Sequence, residues 1–324
     1  MAEGAREGAV KVFVAGATGA LGRPLIRQLL AAGHEVTGMT RTPEKGRWLE
    51  QQGAAAVVCN ALDAEATKAA VRAAAPEVVI DQLTDLPQRM NVFRFKRFYA
   101  RMGPLKEVAP HALLDAAIEV GARRHLMQSI AFAYEPGPHS HAVHPEHDPP
   151  YLDAPSPWKE ALPAFARAEW RVSQAPSLEG IVLRYGFFYG PGTHFGPEGN
   201  MTEDIRHRRL PLVGDGAGVY SFIHVEDAAR ATVVAAERGE RGIYNVVDDT
   251  PLAVREWVPA YAEILGAKPP RRVPRWAARL ATGPVPTHVS TTLRGASNAK
   301  IRALGWEPRY PDPREGFRAE LADA

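Results

Sequence analysis

The stretch Val10-Lys11-Val12-Phe13-Val14-Ala15-Gly16-Ala17-Thr18-Gly19-Ala20-Leu21-Gly22 runs from a strand-like apolar alternation into Gly-x-x-Gly-x-x-Gly. A helical stripe follows, made of Leu21, Leu25, Ile26, Leu29 and Leu30, with Pro24 in the first turn, where a missing N–H costs little. Strand, glycine turn and helix in that order form a dinucleotide cradle. The glycines permit the tight turn, close backbone approach and close helix–strand packing, and the helix N-terminus can hold a pyrophosphate. Gly16, Thr18, Gly19, Ala20, Leu21 and Gly22 are the candidate pyrophosphate residues.

A second strand is expected over 34–39, after Gly33 at a helix C′ position. The residues behind it choose the cofactor. A site for NAD places Asp or Glu about 20 residues beyond the glycines, on the ribose 2′-hydroxyl. Here the strand runs into Thr40-Arg41-Thr42, with Lys45 nearby and no carboxylate from the strand's end until Glu44. Arg41 can pair with a 2′-phosphate and Thr40 can donate to it, so NADP(H) is expected over NAD(H). The alternative is that Arg41 is a solvated loop charge.

With 324 residues, 45% apolar and 23% charged, the chain can bury a sizeable core in one large domain or two ordinary ones. Lys+Arg 39 against Asp+Glu 37 leaves a net charge of +2, which gives no electrostatic case for nucleic acid or an anionic membrane. The single cysteine, Cys59, excludes an internal disulfide framework and argues against a Cys-based zinc site. No signal-peptide core opens the sequence and no apolar run reaches about 18 residues, so a cytoplasmic protein is expected.

Strand signals at 54–59, 78–82, 125–129 and 181–185 alternate with helix signals at 64–75, 105–120 and 157–174. The alternation implies an α/β fold, a doubly wound parallel Rossmann sheet with helices on both faces. Ligands of such sheets bind beyond the carboxyl ends of the strands. From about residue 190 the alternation stops. Two stretches interrupt the pattern. In 83–104, Phe95, Phe98, Tyr99 and Met102 recur at helical spacing opposite Arg94, Arg97 and Arg101. That fits either an aromatic-faced lid inserted over the cleft or a helix docked on ordinary core. The second, 135–157, is rich in Pro and His and reads as an irregular excursion.

Further motifs follow along the chain: Ser129 after the fifth strand, Leu183-Arg184-Tyr185-Gly186-Phe187-Phe188-Tyr189-Gly190-Pro191-Gly192, and Phe222-Ile223-His224-Val225-Glu226-Asp227-Ala228-Ala229. Tyr244-Asn245-Val246 and Ala296-Ser297-Asn298-Ala299-Lys300, before Leu304-Gly305-Trp306, complete the set. Together with the glycine loop, these resemble the extended and atypical short-chain dehydrogenase/reductase superfamily, in its branch of NAD(P)-dependent epimerases and dehydratases. The resemblance implies an NADP-binding Rossmann domain of 1–190 with 219–250 and a small C-terminal α+β substrate domain of 191–218 with 251–324. It also implies Asn60 and Ala61 at the adenine and Leu83 and Thr84 beside the ribose, with Ser129, Tyr185 and Phe187 toward the nicotinamide. The superfamily's Tyr-x-x-x-Lys is missing, because none of the nine tyrosines is followed four residues later by Lys. With Glu169 as the family's helix Glu, the Tyr and Lys places hold Ala161 and Phe165.

Hydride transfer to a ketone creates an alkoxide that must be stabilised and protonated. Four routes are open. Ser129 could bond the carbonyl, Tyr134, Tyr185 or Tyr189 could act from another wall, Lys159 could supply a cation, or the substrate could supply its own phenol or enol proton. Each residue also has a plain reading, as aromatic wall, strand end or solvated charge. Ala161 in place of Tyr leaves room, so Ala161 and Phe165 join Phe95, Phe98, Tyr99 and Met102 as candidate substrate residues. The chain is similar to atypical superfamily members that reduce antibiotic polyketides without the Tyr–Lys pair. The expected function is NADPH-dependent reduction of a ketone on a bulky, polyketide-like aromatic small molecule. The alternatives are a nucleotide-sugar epimerase or dehydratase, which needs a base at the missing Tyr, and a non-catalytic NADP-binding regulator. His139, His141, His144 and His147 invite a metal, but Pro138, Pro145, Pro149 and Pro150 break any regular face, and none is expected. His224 and Asp227 read as fixing a strand-to-helix junction. No feature of the sequence reports an oligomeric state.

Overall fold

A computed structural model describes residues 8–87, 89–90, 95–136 and 143–322, with 95–101 described by backbone alone. The first half runs β1 (Lys11–Ala15), α1 (Gly22–Ala31), β2 (Glu35–Thr40), α2 (Pro43–Gln51), β3 (Ala55–Val58), α3 (Ala64–Ala74), β4 (Val78–Asp81), α4 (Phe95–Glu119) and β5 (Arg124–Ile130). Next come β6 (Val143–His144), α5 (Trp158–Ser173), β7 (Glu179–Tyr185), β8 (Phe187–Tyr189), α6 (Asn200–Arg206), β9 (Leu212–Val213), β10 (Val219–Tyr220) and β11 (Phe222–His224). The remainder is α7 (Val225–Arg238), β12 (Gly242–Val246), β13 (Leu252–Ala253), α8 (Val254–Ile264), β14 (Arg272–Val273), α9 (Arg275–Thr282), α10 (Pro284–Thr291), β15 (Gly295–Ala296), α11 (Ala299–Arg302) and α12 (Pro313–Ala322).

Seven strands form one parallel sheet in the order β12-β7-β5-β4-β1-β2-β3. Successive side chains leave a strand on opposite faces. Val12 and Val14 therefore join Leu25, Leu29, Leu49 and Ala228 under α1, α2 and α7. Phe13 and Ala15 join Val71, Leu113, Ala168 and Val172 under α3, α4 and α5. Strand order reverses between β1 and β4, and at that switch point a cleft opens beyond the carboxyl ends. A separate cluster packs Tyr189, Phe195, Phe222, Trp257, Tyr261 and Phe317 around the short β8–β11 pair and α8.

The helix expected over 105–120 starts at 95 instead, and α4 continues through Pro104 and Pro110. Each proline removes one helical hydrogen bond, while burial of Met102, Leu105, Ala109 and Leu113 holds the helix on the sheet. Residues 95–104 are thus the first turns of α4 rather than a separate helix. Met102 is buried and its Sδ accepts the Asp85 N–H at 3.2 Å. The side chains of Phe95, Phe98, Tyr99, Arg97 and Arg101, and all of Arg94, lie outside the described residues. Among the described residues no helix is long and apolar enough to cross a membrane.

A buried ion pair ties α5 to the sheet. Arg184 on β7 donates through Nε to Glu169 Oε1 at 3.0 Å and through Nη2 to Oε2 at 2.5 Å. Arg184 is 5% exposed and Glu169 7%. Removing one partner of such a pair strands the other charge and costs about 3–5 kcal/mol. Glu169→Gln should therefore lower unfolding free energy by about that amount in a urea titration, and Glu169→Gln with Arg184→Gln should lose less than the single change. A single variant within about 1 kcal/mol of the native protein would mean the pair is solvated.

Acid should weaken the fold through two histidines. Burial pushes His125 down to about 3 and His288 to about 4, both below the unfolded value of about 6.5. The unfolded chain then binds more protons, so stability present above about pH 6.5 is lost as pH falls toward these values. Both ring nitrogens of His125 lack hydrogen-bond partners, so His125→Leu removes only buried polarity. Melting scans from about pH 7 to about pH 4 should show a shallower decline for His125→Leu; an unchanged slope counts against His125 as a contributor.

Candidate active site

The glycine turn sits at the switch point. Gly16 has φ +83°, and a Cβ there would meet Gln82 O at 2.6 Å; a Cβ on Gly22 would meet Gly16 O at 2.2 Å. Only glycine permits both approaches, which seat α1 directly on β1. The N-terminus of α1 has no side-chain cap and no acidic residue in its first turn, so its N–H groups suit an anion. In front lies a cavity of about 110 Å³, lined by Gly16, Thr18, Gly19, Thr40, Arg41, Ala61, Leu83 and Thr84 and also by Met39, Lys45, Cys59 and Gln82. Thr18 and Thr40 share a hydroxyl hydrogen bond of 3.1 Å. The Arg41 side chain is 67% exposed and reaches Asp85 at 3.8 Å, a contact weak enough to yield to a phosphate. Ala20, Leu21 and Gly22 form the entry to α1. Asn60 does not line the cavity, and its Oδ1 accepts the Leu62 N–H at 3.2 Å. These residues fit a dinucleotide, with the helix terminus at the pyrophosphate and Thr40, Arg41 and Lys45 at one ribose end.

A second, smaller chamber lies against β5, α5 and β7. Ser129, Ile130, Tyr134, Leu162, Phe165, Glu169 and Arg184 line it. Its volume is about 10 Å³, at the limit of holding one water. Ala161 is buried and does not line this chamber, whereas Leu162 and Phe165 do. Ser129 is buried with its Oγ unpartnered. Tyr134 donates its hydroxyl proton to Asn245 Oδ1 at 2.6 Å, stacks on His144 and lies under the Arg184 guanidinium at 4.9 Å. Burial, countered by Arg184, pushes the Tyr134 phenol up to about 12. Burial opposes charge on Arg184 too, but the Glu169 bonds outweigh it and hold the guanidinium above its ordinary value.

Three expected site residues lie elsewhere. Tyr185 is sealed in the core, its hydroxyl bonded to Gln82 Nε2 at 3.0 Å and Thr232 Oγ1 at 2.7 Å. Strand alternation is the reason: Arg184 faces α5, so Tyr185 faces α1 and α7. Tyr189 is fully buried among Phe222, His224 and Phe317, with no partner for its hydroxyl. Burial, then the Asp248 charge, pushes its pKa up, so it neither reaches the cleft nor ionises readily. Lys159 stands in solvent, 61% exposed, paired with Asp153 at 2.6 Å. Phe187 is part of a three-ring stack, 4.4 Å from Phe132 and 4.2 Å from Tyr220 between centroids. Phe132 and Tyr220 were not picked out from the sequence, since three segments far apart in the chain build the stack. Their signal was positional: Phe132 follows Ser129 by three residues, and Tyr220 precedes Phe222 by two.

The remaining histidines and junction residues have structural partners. His144 bonds Asp148 at 2.7 Å, while His139 and His141 lie outside the described residues. Among the described residues no group of three metal-ligating side chains comes together. His224 accepts the Glu226 N–H at the start of α7, and Asp227 Oδ2 accepts from the N–H groups of Arg309 and Tyr310.

Comparison with known proteins agrees with this architecture. The chain is 42% identical over 314 residues, covering 96% of its length and all of the relative, to a 3-diazoavenalumate denitrifying reductase from a Streptomyces species. It is 26% identical, over 91% of its length and 84% of the relative, to a 4-hydroxy-2-methyl-3-oxo-4-farnesyl-3,4-dihydroquinoline-1-oxide ketoreductase from Stigmatella aurantiaca. The crystal structure of Thermus thermophilus UDP-glucose 4-epimerase with NAD superposes with a TM-score of 0.74 at 25% identity, covering 96% of this chain and 98% of that one. The model of the NAD dependent epimerase/dehydratase family matches residues 12–247. On these grounds the chain is an NAD(P)-dependent oxidoreductase and belongs to the NAD dependent epimerase/dehydratase family.

Proposed function

We propose that the protein uses NADPH to reduce an aromatic acid bearing a diazo group, releasing dinitrogen. The observation that carries this reading is the composition of α5: the family's Tyr and Lys places hold Ala161 and Phe165, both buried. When bound, the cofactor supplies hydride: on an aryl diazonium its electron pair makes the C–H bond, the C–N pair leaves with dinitrogen, and no alkoxide forms. A helix without its acid–base pair suits that reaction better than it suits ketone reduction, where the alkoxide needs a proton. The 42%-identical denitrifying reductase supports the same choice. The chain's own residues bind and orient. The glycine turn would hold the pyrophosphate and Arg41 with Thr40 the 2′-phosphate. A cytoplasmic location, where reduced nicotinamide is regenerated, belongs to this reading.

Ketone reduction is the second reading. The unpartnered Ser129 Oγ could bond a carbonyl oxygen, and the Stigmatella aurantiaca relative is a ketoreductase. Incubation with NADPH deuterated at the transferred position separates the two. With an aromatic diazo acid reacting as its aryl diazonium, one dinitrogen per NADPH and deuterium on the ring carbon are expected. Turnover of aromatic ketones to deuterated alcohols, with the diazo acid untouched, would overturn the proposal in favour of the second reading. Tight NADPH binding without turnover of either would favour a cofactor-sensing regulator.

The cofactor choice has its own test. NADPH should bind at least tenfold tighter than NADH, about 1.4 kcal/mol. Arg41→Ala should remove most of that preference while leaving NADH binding unchanged. Equal binding of the two nucleotides to the native protein would sink the phosphate assignment.

A further inference from the structure

A lysine absent from the expected site lies between the two cavities. Lys106, on α4, is 3% exposed. Its Nζ donates to Leu83 O at 3.1 Å and sits 5.3 Å above the centre of the Phe165 ring. Leu83 lines the dinucleotide cavity, and Phe165 lines the Ser129 chamber. Phe165 also holds the place where the family carries its Lys. We infer that Lys106 takes over from α4 the cation that α5 lacks, and that it holds the ribose on the nicotinamide side of the cofactor. The inference rests on the nicotinamide-dependent reading of the site, not on the choice of substrate.

The chemistry of its surroundings supports this. An ammonium has three N–H donors, and among the described residues one bond is made, to Leu83 O. Asp81 and Glu169 are its nearest counter-charges, yet Glu169 is committed to Arg184. Asp81 gives one oxygen to the Leu83 N–H, and its Oδ2 is buried with no partner. Gln82 Oε1 and Ser129 Oγ are likewise buried and unpartnered. Buried donors and acceptors left unmatched beside the two cavities are costly unless a ligand completes them. A sugar diol, which donates and accepts at adjacent hydroxyls, is the part of a dinucleotide that matches both. The adenine side is already assigned to the end of the cavity bearing Thr40, Arg41, Lys45 and Ala61. A second ribose running from that cavity past Leu83 toward the chamber would come within reach of Lys106. Burial drives the Lys106 pKa down and the Asp81 pKa up, and each opposes the other's shift.

A merely structural role, as counter-charge to Asp81, predicts a different pattern, and binding separates them. Lys106→Gln and the charge-balanced double variant Asp81→Asn with Lys106→Gln are titrated with NADPH and with adenosine 2′,5′-bisphosphate, which lacks the nicotinamide ribose. Melting curves first identify which variant folds. The inference expects NADPH to weaken at least tenfold in either folded variant while the bisphosphate stays within twofold. Lys106→Arg should recover part of the loss. NADPH binding within twofold of native, or equal weakening of both ligands, would overturn it. Failure to turn over diazo acids or ketones, with this binding pattern intact, would sink the proposed function and leave Lys106 in place.

Discussion

The Arg184–Glu169 pair is the interaction on which the small chamber depends. One guanidinium connects α5 through Glu169, the segment after β5 through the Tyr134 ring, and the excursion before α5 through Glu146 O at 3.2 Å. Tyr134 then extends the connection to Asn245 on β12. Buried ion pairs add little net stability, but they make departures from one geometry expensive. Here that stringency holds α5 against the sheet at a fixed depth. The helix carries no Tyr-x-x-x-Lys but does carry the charge that positions it.

That separation explains how the dinucleotide cradle and the chamber relate. The cradle is built from backbone: Gly16 and Gly22 let β1, α1 and the Gln82 peptide approach one another, and no side chain could replace them. The chamber is built from side chains on β5, α5 and β7, so its chemistry could change without disturbing the turn. Tyr185 couples the two from behind. Its sealed hydroxyl holds Gln82, which lines the cradle, while its neighbour Arg184 lines the chamber. A residue expected to touch the cofactor instead braces the strand ends around it.

The parallel sheet was legible in the sequence because strands buried on both faces read as short apolar runs between helical patterns. The cradle was legible because its glycines are fixed by backbone geometry. The chamber was not, because its members are chosen by which face of a strand or helix they occupy. Counting outward from Arg184 places Tyr185 on the opposite face, a step that the family motif alone does not supply. The Phe132–Phe187–Tyr220 stack depends on three chain segments meeting, which no local pattern encodes. Tyr189 resembles a site residue only by its neighbours in sequence; in space it belongs to the cluster with Phe222 and Phe317.

Lys106 did leave a trace in the sequence. It falls on the stripe of Met102, Ala109 and Leu113, all buried on α4, where a charge is out of place unless something compensates it. Asp81 provides part of that compensation, from the end of β4 beside the cradle. The two acids of this wall, Asp81 and Glu169, thus face two cations, Lys106 and Arg184. With α5 contributing no amine at Phe165, a wall without Lys106 would leave Asp81 as an unmatched buried carboxylate. Burial already raises the Asp81 pKa, and loss of Lys106 would raise it further. Lys106 is thus the cation that α4 sets opposite Asp81, touching residues that line each of the two cavities.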